Sequence, residues 1–147
     1  MAIYIGIDPG EHTGFAVYDT TSHKLREVAT LELWEALEAV KRWRYSCLMA
    51  PKPKPLFVVF EDARQRKWFP KERSNAEYRG RLMGAGAAKR DAKIWEECLT
   101  AQHIQFEARK PQAGQTKWSA DYWERITGWK GRTSEHARDA ALLVFGR

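Results

Sequence analysis

Asp8, Glu61, His136 and Asp139 each place an ionisable side chain at the edge of an apolar element. Asp8 closes the apolar run that starts at Ile3 and is followed by Pro9-Gly10, a turn signal. Glu61 ends Phe57-Val58-Val59-Phe60, a continuously apolar run of the kind found in strands buried on both faces. His136 and Asp139 stand three apart in a helical pattern and therefore share a face. Glu135 is also one turn from Asp139, so spacing alone does not choose between Glu135 and His136. With the two strand ends adjacent and the helix packed over them, the carboxylates would converge, and such like charges need cations between them. Hard Mg²⁺ or Mn²⁺ suits oxygen ligands, and two ions roughly 3.5–4 Å apart can activate water and stabilise a leaving oxygen in phosphodiester hydrolysis. Each acid also has an ordinary reading: a solvated turn for Glu61, an Asx turn for Asp8, a helix-surface position for His136, and pairing with Lys130 or Arg132 for Asp139.

The elements that must position these groups follow from periodicity. Ile3 to Asp8 and Gly14 to Tyr18 predict a hairpin, with Leu25, Val28 and Leu31 in a third strand. Leu33, Leu37, Val40 and Cys47 recur at helical spacing up to the Pro51 to Pro55 linker. Tyr78, Leu82, Ala85, Ala88, Ala92, Trp95 and Leu99 mark one stripe of a long helix, whose Gly84 to Ala88 patch permits close approach. Ile104 to Phe106 predict a strand, Ser119 to Ile126 a short helix, and Ser134 to Phe145 a final helix capped by Ser134 or Thr133. An α/β fold with a mixed central sheet flanked by helices is expected.

The 147 residues fit a single domain spanning 1–147, and a hydrophobic fraction of 44% supplies one core. The net charge of +6 favours a polyanionic partner without specifying one. Cys47 and Cys98 are too far apart in sequence, and too remote from any histidine pair, to suggest a disulfide framework or a zinc site. An acid at position 8 and the lack of a long apolar run argue against a signal peptide and a membrane span, so a cytoplasmic location is expected.

The string Ile5-Gly6-Ile7-Asp8-Pro9-Gly10, followed by Thr13-Gly14-Phe15-Ala16-Val17, resembles the opening of RuvC-type Holliday junction resolvases, including those of phage and viral type. Glu61 matches that family's second acid, Asn75-Ala76-Glu77 with Leu82 its following helix, and His136-Ala137-Arg138-Asp139-Ala140-Ala141-Leu142 its C-terminal acidic motif, where the first position is aspartate or histidine. The resemblance runs over nearly the whole chain, and it favours His136 over Glu135. It implies a ribonuclease H-like fold and hydrolysis of branched DNA to leave 5′-phosphates, with Asp8, Glu61, His136 and Asp139 holding two Mg²⁺ or Mn²⁺ ions. His136 would be a neutral ligand or a proton-transfer group. The stretch between Glu61 and Asn75 is longer than in bacterial members and the chain stops soon after the acidic helix, which argues against a branch-migration motor as partner.

Arg64, Arg66, Lys67, Lys71 and Arg73 surround Trp68 and Phe69, a mixture suited to holding phosphates while rings stack on exposed bases. The alternative is that the two rings anchor the loop to the core. Lys110 and Lys117 resemble lysines that the family places near the scissile phosphate, with Lys117 catalytic. Trp34, Trp43, Trp95, Trp118, Trp123 and Trp129 are expected mostly to pack helices onto the sheet or a second subunit. A twofold junction implies a homodimer, with the long Ala/Gly-rich helix as a contact. Competing readings are the related YqgF-type nucleases of ribosomal RNA precursors, actin-like ATPases, which need two lobes and a second phosphate loop, and a junction-binding protein without catalysis.

Overall fold

A computed structural model of the chain describes residues 1–66, 75–111 and 117–147. Five strands form one mixed sheet: β1 Ile3–Asp8, β2 Thr13–Asp19, β3 Lys24–Leu31, β4 Leu56–Glu61 and β5 Gln105–Arg109. The sheet order is β3-β2-β1-β4-β5, with the first three strands antiparallel and β1, β4 and β5 parallel. Helix α1 (Leu33–Met49) connects β3 to β4, and a 3-10 turn at Ala63–Gln65 follows β4. Helix α2 (Asn75–Ala101) precedes β5, and α3 (Ala120–Thr127) and α4 (Glu135–Leu142) follow it. No helix among the described residues is long and apolar enough to cross a membrane.

Alternation in the strands divides the sheet into two faces. Ile3, Ile5, Ile7, Phe15, Val17, Val58 and Phe60 face α1 and α2 and make the larger core with Ala36, Val40, Ala92, Trp95 and Leu99. On the opposite face Ala16 and Val28 meet Ala137, Ala140 and Ala141 of α4 and Trp123 of α3. Burying these apolar side chains, at about 25 cal/mol per Å², is the main force that holds helices to strands. Both cysteines lie in helices and are free thiols.

The long-helix stripe is only half a core stripe. Ala92, Trp95 and Leu99 are buried, whereas Tyr78 and Leu82 are 53% and 50% exposed. The reason is length: a 27-residue helix spans about 40 Å, and strands of five or six residues only about 20 Å, so the N-terminal half of α2 runs past the sheet. Trp34, at the first turn of α1, is 66% exposed and packs no helix onto the sheet, in contrast to the buried Trp95 and Trp123. The last helix ends at Leu142, with hydrogen-bonded turns carrying the chain through Phe145.

Candidate active site

The parallel pairing of β1 with β4 sets the register Ile7 opposite Phe60, so the next residues along, Asp8 and Glu61, emerge side by side at the strand ends. Asp8 also lies opposite Gly14 in the β1–β2 hairpin. Helix α4 crosses this face, packing chiefly on β2 and β1. Its start is fixed by Ser134, whose hydroxyl accepts the Ala137 backbone N–H at 3.1 Å, the ordinary N-cap arrangement.

Two glycines decide how close α4 comes. A Cβ on Gly6 would run into the backbone carbonyl of Ala140 and reach 3.2 Å from Val144 Cγ2. A Cβ on Gly14 would run into the His136 carbonyl and lie 3.1 Å from the Asp8 Cβ. The helix backbone therefore rests on the strand backbone, and this packing is what brings a helical side chain to a strand-end acid. The His136 Nδ1 and Asp8 Oδ2 atoms are 3.0 Å apart. Sequence reasoning missed the role of these glycines, although an isolated glycine within a strand is itself a signal of close backbone approach.

The electrostatics describe a crowded acidic centre. Burial pushes the Asp8 carboxyl above its ordinary range; the hydrogen bond and charge of His136 oppose this, the Asp139 charge adds to it, and Lys117 opposes it. The Glu61 carboxyl is also raised, first by burial and then by the charges of Asp8 and Asp139, against Arg66 and Lys117. The Lys117 ammonium lies 3.7 Å from Asp139 Oδ2 and also pairs with Glu135. The two candidates at the start of α4 are thereby separated: His136 turns to Asp8, and Glu135 turns to Lys117. Lys130 pairs with Glu124 at 2.8 Å, so the pairing it offered Asp139 is not made.

As placed, no three His, Cys, Asp or Glu side chains among the described residues form a set that could hold a metal ion. The tight contact is the Asp8–His136 pair, with Glu61 and Asp139 felt through their charges.

The basic residues divide. Arg64 is committed inside the fold: its Nε and Nη2 donate to the two carboxylate oxygens of buried Asp62 at 2.8 and 2.9 Å, and Nη1 donates to Glu96 of α2. This guanidinium holds the Asp62 carboxyl below its usual range and ties the 3-10 turn to α2. Arg66 and Lys110 are exposed, and Arg66 is near enough for Glu61 to feel its charge. Lys67, Trp68, Phe69, Lys71 and Arg73 lie outside the described residues.

Set against protein-family models and curated proteins, the sequence finds no match to either.

Proposed function

We propose that this chain is a metal-dependent endonuclease of ribonuclease H-like fold that cuts four-way or otherwise branched DNA and leaves 5′-phosphates. The observation that carries the reading is the pair of strand-end acids Asp8 and Glu61, with His136 of α4 against Asp8 and the charge of Asp139, itself beside Lys117, acting on both. The strand order, three antiparallel strands continued by two parallel ones, and the resemblance to RuvC-type resolvases support it further.

The donor chemistry fits a hard divalent cation. Carboxylates driven upward by burial and mutual repulsion are groups whose ionised form a cation would stabilise. Asp8, Glu61, His136 and Asp139 would hold Mg²⁺ or Mn²⁺, in our reading as a pair of ions, and the chemistry supplied there is activation of water and stabilisation of the leaving oxygen. The chain's own residues orient the reaction. His136 holds one carboxylate oxygen of Asp8 in place, and Lys117 presents a cation that can pass from Asp139 to an oxygen of the scissile phosphate. Arg66 and Lys110 offer exposed charge to the phosphate backbone. A second copy of the chain would meet the exposed Tyr78, Leu82 and Met83 of α2, giving the twofold assembly that a twofold junction requires.

The test is cleavage of synthetic four-way junctions, duplex DNA and RNA–DNA hybrids with Mg²⁺, Mn²⁺ or chelator. Metal-dependent cutting restricted to branched DNA supports the reading. Preference for RNA would move the chain to RNA processing, and metal-independent binding without cutting would make it a junction-binding protein.

A further inference from the structure

Lys117 has a long, 61% exposed side chain, yet its ammonium lies between two acids of α4. Such a side chain holds one place only when its backbone is held, since a free lysine carries substantial rotamer entropy. The residue that does this belongs to α4 itself. Arg138 stands between His136 and Asp139, and its Nε donates at 3.1 Å to the carbonyl of Trp118, the residue that follows Lys117. Its Nη1 donates to the Thr133 carbonyl at 3.1 Å and to the Thr133 hydroxyl at 3.0 Å. One guanidinium thus joins three pieces of chain: the acidic helix, the segment entering it and the segment carrying Lys117. Trp118 is fixed from its other side as well, with its ring edge-on to Tyr122 at 4.8 Å and tilted against Trp123 at 6.2 Å.

We infer that Arg138 is a positioning residue for Lys117, holding the lysine's backbone against the helix that bears His136 and Asp139. The inference rests on the nuclease reading for what Lys117 does, but the tether itself is independent of it. Arginine suits the task because its planar fork directs several donors at once, whereas lysine offers a single point of attachment. Placing the anchor and the acids on one rigid helix makes the Lys117–Asp139 distance a property of α4.

The experiment combines kinetics with amide hydrogen exchange on the full chain. Removing a charged donor aimed at a reacting phosphate costs about 100-fold in kcat, so Lys117→Ala sets the scale. Arg138→Gln is expected to lower kcat about 10-fold with KM little changed, and Arg138→Lys to recover part of that loss. In a Lys117→Ala background, Arg138→Gln should lower kcat less than twofold, because the group it positions is gone. An equal fold-loss with and without Lys117 overturns the inference and leaves Arg138 a merely structural residue. The exchange arm reads the tether whether or not the chain cuts DNA: amides of residues 117–119 should exchange faster in Arg138→Gln. Unchanged exchange there overturns the tether. Absence of cleavage by the wild-type chain, with faster exchange in the variant, refutes the nuclease reading and keeps the tether.

Discussion

Gly14→Ala tests the close packing that builds the site. In most strand positions this change is neutral or stabilising, because alanine loses less backbone entropy on folding, about 0.4–1 kcal/mol. At Gly14 the added carbon runs into the His136 carbonyl and lies 3.1 Å from the Asp8 Cβ, so α4 must lift by roughly 1 Å. Overpacking of this sort costs about 1–3 kcal/mol. For a chain of this size that lowers the melting temperature by about 3–10 °C. The catalytic effect should exceed what instability explains. Lifting the helix opens the 3.0 Å approach between His136 and Asp8, and a displacement of about 1 Å at reacting groups costs on the order of 100-fold in rate. The assay pairs thermal melting by circular dichroism with junction cleavage in Mg²⁺ well below the variant's melting temperature. Gly84→Ala is the control: nothing lies within 4 Å of a Cβ there, and the helix interior should gain about 0.5–1 kcal/mol. A Gly14→Ala protein that melts and cuts like wild type would refute the packing argument.

Other outcomes follow from the same geometry. Glu61 has its folded pKa raised, so the native state holds its proton more tightly than the unfolded chain does; metal-free stability should fall as pH rises from the unfolded value through the folded one. Glu61→Gln removes that loss, so in chelator it should melt higher than wild type at pH 7 and converge with it in acid; a lower melting temperature at pH 7 contradicts the assigned sign. Neutral substitution of Arg66 or Lys110 should flatten the dependence of log affinity on log salt by about 0.9 for each phosphate no longer neutralised on duplex arms, as measured by fluorescence anisotropy. Arg64→Gln should instead leave that slope alone and lower stability by about 1–3 kcal/mol, because buried Asp62 loses its partner; a changed slope without a stability loss would place Arg64 on the DNA.

Much of the sheet was legible because apolar runs and turn residues coincide. Ile3 to Asp8, Gly14 to Tyr18 and Phe57 to Phe60 all fall within strands, and Ser134 caps the last helix as its hydroxyl and position suggest. The acids at the strand ends could be named from sequence, since a strand's last residue is where its buried run meets a polar side chain. Long-range proximity was less visible. Periodicity gave α2 a single apolar stripe, but it carries no information on where the sheet beneath it ends, so Tyr78 and Leu82 read like Trp95. Arg64 looked like its basic neighbours because nothing in the sequence shows that Asp62, two residues away, is buried and takes two of its bonds, or that Glu96, 32 residues away, takes another. Spacing could not separate Glu135 from His136, and the three-dimensional answer depends on Gly6 and Gly14 letting α4 settle onto the strands.

The most direct test of the acidic centre compares wild type with Asp8→Asn on a synthetic four-way junction, following both cleavage and binding in Mg²⁺. Wild type should cut paired strands and leave ligatable 5′-phosphate ends, while Asp8→Asn should bind the junction with similar affinity and cut it at least roughly 1000-fold more slowly, on the order expected when a metal-held water is lost. Cleavage by Asp8→Asn at the wild-type rate, or no metal-dependent cleavage by the wild-type chain on any branched substrate, would contradict the assignment of this acidic centre.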